Sequence, residues 1–89
     1  MNSITKNILL ENGWEYKNYR TIGTDFYDHY FKSICDDKYH LSICPYSDNS
    51  KWNVQIDDCD YEPMGNCNIQ TIKQFNDFMK VFNISYKLS

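Results

Sequence analysis

Hydrophobic and polar positions change period several times along the chain. Ile4, Ile8 and Leu9 fall on one helical face after Ser3, whose hydroxyl suits an N-cap, and Asn12-Gly13 then stops the run. The expectation is a short helix over residues 3–12. From Trp14 the period drops to two: Trp14, Tyr16 and Asn18 alternate with Glu15, Lys17 and Tyr19. A turn at "TIGTD" separates this strand from a second, "FYDHYFKSI", over residues 26–34. Both parities of that second strand carry aromatics, so its core face is ambiguous. Cys35-Asp36-Asp37-Lys38 reads as a tight turn. Tyr39, Leu41 and Ile43 then alternate with His40, Ser42 and Cys44 until Pro45, which has no N–H for a ladder. After the polar "YSDNS", Trp52, Val54 and Ile56 alternate with Asn53, Gln55 and Asp57 in the clearest strand of all.

The period returns to helical over residues 69–82, where Ile69, Ile72, Phe75, Met79 and Phe82 share one face. Asn68 or Thr71 can cap this helix, and Thr71-Ile72-Lys73-Gln74 fits a capping box. Asn83 closes it, and "ISYKL" adds a candidate edge strand. The residues between, "DCDYEPMGNCN", read as loop. The pattern predicts one α+β domain over residues 1–89, an antiparallel four-stranded meander in the order α-β-β-β-β-α. Both helices cover one face. The other face receives Glu15, Lys17, His40, Ser42, Cys44, Asn53, Gln55 and Asp57.

Charge narrows the function. Residues 1–45 hold five basic against six acidic side chains, and residues 46–89 hold four against six. Lys6, Lys17, Arg20, Lys32, Lys38 and Lys51 are scattered, so no concentrated positive field is available for phosphates, and direct nucleic-acid binding is not expected. Ile8-Leu9-Leu10 is too short for a signal peptide's apolar region or a membrane span. The expected setting is therefore the cytoplasm, without membrane contact. Cysteines at 35, 44, 59 and 67 lack a close Cys-x-x-Cys pair, which argues against a structural zinc site and for free thiols. No metal or cofactor is expected.

The sharpest local feature is Asp57-Asp58-Cys59-Asp60-Tyr61-Glu62-Pro63. Asp58, Asp60 and Glu62 match positions one, three and five of an EF-hand loop. Pro63 stands where the glycine belongs, Ile69 where the bidentate glutamate belongs, and a strand precedes it instead of a helix. A solvated acidic loop is the better reading, and with Tyr61 it suits contact with a basic surface. Tyr27, Tyr30, Phe31, Tyr39 and Tyr46 exceed what one face of a small core needs, and exposed tyrosines favour protein interfaces.

No nucleophile elbow, P-loop, dinucleotide fingerprint or His-Glu-x-x-His helix is present. The best enzyme reading pairs His40 with Cys44 or Ser42 on the open face, with His29 joining if the odd residues of the second strand face outward. A third reading is homo-oligomerisation through the aromatic sheet face. The expectation adopted is a non-enzymatic protein-binding module. Asp57, Asp58, Asp60, Tyr61 and Glu62 form its contact, with Tyr27, Tyr30 and His40 as a second set. Charge reversal at Asp58 and Asp60 is expected to weaken association without lowering the melting temperature.

"LLENGWEY" at 9–16, the aromatic strand block, "WNVQI" at 52–56 and "IQTIKQFNDFMKVF" at 69–82 together resemble small proteins of Bacteroidetes genomes and their phages. That resemblance implies a short accessory protein that inhibits or modulates a host protein, such as a defence nuclease, by contact.

Overall fold

The structure, a computed structural model, describes residues 2–20, 26–45 and 51–89, with backbone alone for 18–20 and 26–27. The expected turn at 21–25 and the polar loop at 46–50, Tyr46 included, lie outside the described residues. The element order is α1 (Lys6–Glu11), β1 (Glu15–Arg20), β2 (Phe26–Ile34), β3 (Tyr39–Pro45), β4 (Trp52–Asp58), β5 (Pro63–Ile69) and α2 (Ile72–Val81). All neighbours pair antiparallel in the order β1-β2-β3-β4-β5. The α+β class and the meander hold, but the sheet has five strands rather than four.

The additional strand is β5, which the sequence pattern assigns to loop. Its core-side positions are Gly65 and Cys67, neither of which reads as an apolar strand position, and the buried Ile69, which the sequence pattern gives to the helix. The apolar cover comes from elsewhere. A Cβ on Gly65 would lie 2.7 Å from Cζ of Phe82, so the ring at the end of α2 rests on the bare glycine backbone. Pairing shifts register between Ile56/Gly65 and Asp57/Pro63, leaving Met64 as the extra residue of a β-bulge.

Both helices are shorter than their apolar runs. α1 starts at Lys6 with Thr5, not Ser3, as N-cap, the Ile8 N–H donating to Thr5 Oγ1 at 3.2 Å. Ser3 instead forms a bridge with Thr71, and the Ile4 N–H donates to the Gln70 carbonyl at 3.0 Å. At α2 the Thr71–Gln74 capping box is formed, and Asn83 takes φ +58° just beyond the C-cap Phe82. The last residues form no strand. Ile84 and Leu88 are buried, and the Asn76 side chain both donates to and accepts from the Leu88 backbone.

The core lies between the helices and one sheet face. Leu41, Ile43, Val54 and Ile56 meet Leu9, Phe75 and Met79 there, each at most 1% exposed. Trp14 stacks edge-on against Phe75 at 5.9 Å, and its Nε1–H donates to the Tyr86 hydroxyl at 2.8 Å, giving the buried indole its partner. Among the described residues no helix is long and apolar enough to cross a membrane.

Candidate functional site

The register settles the ambiguous parity of β2. Tyr30, opposite Tyr16 and Ile43, faces the core and is 2% exposed. His29, Phe31 and Ser33 therefore share the open face with Lys17, Glu15 and His40. One row crosses all five strands there: Glu15, Phe31, Ser42, Gln55 and Asn66. A second row holds Ser33, His40 and Asp57. The expectation that Tyr30 is an exposed contact residue is corrected accordingly. Tyr30 is a core residue and Tyr39 packs against the core. The side chain of Tyr27 lies outside the described residues. Among the described side chains, the phenylalanine and tyrosine rings placed on the open face are Phe31 and, from the β4–β5 hairpin, Tyr61.

That hairpin is where the acidic stretch lies. Asp57 and Asp58 end β4, and Glu62 precedes β5, so the stretch is a tight connection rather than a free loop. The Tyr61 N–H donates to the Asp58 carbonyl at 3.0 Å, and the Asp58 N–H donates to the Glu62 carbonyl at 2.9 Å. Oδ1 of Asp58 accepts from the N–H groups of Asp60 and Glu62 at 2.9 and 3.0 Å. Asp58 is thus the residue that holds the turn. Charge reversal there would disturb the fold, contrary to the expectation from sequence. Asp57 accepts from Gln55 Nε2 at 2.8 Å. Among the described residues no cluster of carboxylates, thiols or imidazoles could hold a metal ion.

Tyr61 closes the turn with φ +62°. Three-residue hairpin loops need such a left-handed residue, and glycine or asparagine fills the position at least cost. A tyrosine there carries a penalty of about 1 kcal/mol. The residue is 68% exposed, and its ring lies parallel to the His40 imidazole, with centroids 4.1 Å apart and planes 8° apart. Ser33 Oγ and His40 Nδ1 are hydrogen-bonded at 2.8 Å, which fixes the imidazole from the other strand. Tyr61, His40, Ser33 and Phe31 border a shallow depression of about 330 Å³, reaching Glu15 and Lys17. Lys17 Nζ stands 5.9 Å from the Phe31 ring centroid, and the imidazole of His29, the register partner of Lys17, stacks on the same ring at 5.7 Å.

Two acidic residues join this end of the sheet that the sequence reading placed only in a turn. Tyr39 pairs with Ile34 on one side and with Asp58 on the other, so the β2–β3 turn and the β4–β5 turn sit side by side. Cys35, Asp36 and Asp37 all take positive φ in the first turn, with both carboxylates exposed. Asp36, Asp37, Asp60 and Glu62 therefore line one rim. Knowledge of the strand register, which follows from the Leu41/Ile43 and Val54/Ile56 alternation, is what brings them together.

The His40–Cys44 pairing does not form. Four residues along one strand separate them by roughly 13 Å. Burial also pushes the Cys44 thiol pKa up and the His29 imidazole pKa down, the latter partly opposed by Asp28, so neither leans toward a thiolate–imidazolium pair. All four cysteines are free. Comparison of the chain with protein-family models, with curated proteins and with solved structures gives no match.

Proposed function

We propose that the protein is a non-enzymatic binding module that docks a partner protein on the turn end of its open sheet face. The observation that carries this reading is Tyr61. A strained backbone residue is exposed, its ring is locked flat on His40, and no core contact explains its presence. Strain held at an exposed aromatic points to function rather than packing. A rigid tyrosine with a polar tip loses little entropy on contact and makes an effective anchor. The rim of Asp36, Asp37, Asp60 and Glu62 favours a basic partner surface and would speed encounter at low salt. The resemblance to small phage-type proteins fits a host protein as that partner, blocked sterically, and a nuclease offers a basic surface of the right kind.

The test uses tagged wild-type protein, Tyr61→Gly, and the double variant Asp60→Lys/Glu62→Lys to capture partners from host lysate with nuclease added. Glycine at 61 keeps the turn and removes the ring, so its folding stability should stay within about 1 kcal/mol of wild type, relief of strain offsetting lost stacking. One stoichiometric protein retained by wild type and lost from both variants is the expected result. Equal retention by all three proteins would remove this end of the sheet as the docking site.

A further inference from the structure

A different surface lies at the far border of the sheet. β5 is its last strand, and among the described residues none pairs with the strand's outer edge. Unpaired edges template pairing with another chain, and proteins ordinarily blunt them with charged side chains, proline or a covering segment. Between Met64 and Ile69 this strand holds no charge and no proline. Beside it α2 raises an apolar shelf. Cys67 and Ile69 of the strand and Phe78 and Val81 of the helix border a shallow groove of about 330 Å³, with Val81 73% exposed.

The groove and edge together specify what strand they accept. On the helix side the added strand meets Phe78 and Val81, with Gln74 and Asp77 lining the same groove. On the open side it meets amides, where Asn53 Nδ2 donates to Asn68 Oδ1 at 2.9 Å and Asn66 Nδ2 donates to Asn53 Oδ1 at 3.3 Å. A complementary strand is uncharged, with small or apolar residues on one parity and amides on the other. β5 is itself such a strand: Gly65, Cys67 and Ile69 on one side, Asn66 and Asn68 on the other.

We propose that β5 pairs antiparallel with β5 of a second copy of this chain, joining two sheets into one ten-stranded sheet, five strands from each copy. A two-fold axis through a residue of the strand keeps helix-side residues opposite helix-side residues. Centred on Asn66, it sets Gly65 against Cys67 of the second copy. Centred on Cys67, it sets Asn66 against Asn68 of the second copy and continues the amide ladder. Neither register brings like charges together. The second copy's Cys67 and Ile69 then extend the apolar shelf under Val81.

Sedimentation velocity of the full chain over a wide concentration range reads the oligomer directly. The expected result is a reversible dimer. Val81→Glu puts a charge at the groove and Asn66→Lys puts one on the edge, and each should raise the dimer dissociation constant about tenfold or more with an unchanged circular dichroism spectrum. Val81→Glu lies on an exposed helix position, so it keeps the test intact if Asn66→Lys impairs folding. Hydrogen exchange at the Gly65–Ile69 amides should slow as concentration rises. A monomer at every concentration overturns the proposal. So does a dimer indifferent to both variants, or one dissolved by Tyr61→Gly. A monomer whose β5 amides become protected only when a captured partner is added would give the edge to that partner instead.

Discussion

β1 and β5 both border the sheet, and the two strands are built differently. β1 carries Glu15 and Lys17 on its open face, 3.8 Å apart, and its pairing with β2 runs without a register shift from Glu15 to Arg20. β5 carries no charged side chain, has a bulge at Met64, and leaves its core side bare at Gly65 for a ring from α2. β1 is a strand that supplies its own alternation and protects its own edge. β5 becomes a strand because of what packs on it. The difference teaches that a strand can be specified by its neighbours, with the Phe82 ring at the end of α2 providing the apolar surface that Gly65 lacks.

Removing that provision should have the largest effect. Phe82→Ala takes away the ring over Gly65 and the edge-on contact with Phe78, whose centroids are 5.3 Å apart. The expected loss is about 2–3 kcal/mol, toward the lower end for a phenylalanine because Phe82 is only half-buried. Urea denaturation measures the loss, and hydrogen exchange locates it: β5 amides should lose protection ahead of those of β3. The counterpart on the other border is Tyr16→Ala, a residue 47% exposed, which should cost clearly less and leave β5 protection untouched. Equal losses from the two substitutions would erase the distinction between the borders.

This contrast also explains which parts of the fold the sequence displays. β3 and β4 are written plainly, because Leu41/Ile43 and Val54/Ile56 alternate with polar residues and are buried as that alternation implies. α2 is equally plain in its face and its capping box. β5 is hidden because "PMGNCN" has the composition of a loop, and only the placement of Phe82 turns Gly65 into a core position. Part of the site is visible: the acidic stretch, Tyr61 and His40 are conspicuous as residue types. Their contact is not, since it requires a register shift and a left-handed tyrosine. Tyr30 was the opposite case, a tyrosine readable as an exposed contact until the register turned it inward. The joining of Asp36 and Asp37 to the same rim likewise depends on two turns falling at one end of the sheet.

A smaller effect separates carboxylates that look alike in sequence. Asp58→Ala removes the acceptor for two turn N–H groups and should cost about 1–2 kcal/mol. Asp60→Ala removes an exposed carboxylate and should stay within about 0.5 kcal/mol of wild type. Thermal melts of the two single variants, side by side, make the comparison. A neutral Asp58→Ala would mean that the hairpin entering β5 is held by backbone bonds alone.

The smallest predicted effect is one of acidity, and it belongs to the β1 border. His29 sits opposite Lys17 in the β1–β2 register, and burial holds its pKa below the ordinary histidine value, with Asp28 partly opposing. The unfolded chain therefore binds a proton at this residue before the folded one does. Between the ordinary value near 6.5 and the lowered folded value, stability rises with pH, so it falls as the solution is acidified through that window. Protonation also places a second cation beside Lys17 on one sheet face. β5 carries no histidine and no charged side chain. Hydrogen exchange at two pH values on either side of the window, corrected for intrinsic rates, should show opening that increases at β1 and is constant at β5. Substituting His29→Gln should abolish the β1 response. If acid instead loosened β5 as much as β1, or if the response survived His29→Gln, the titrating group would lie elsewhere, and the asymmetry between the borders would rest on packing alone.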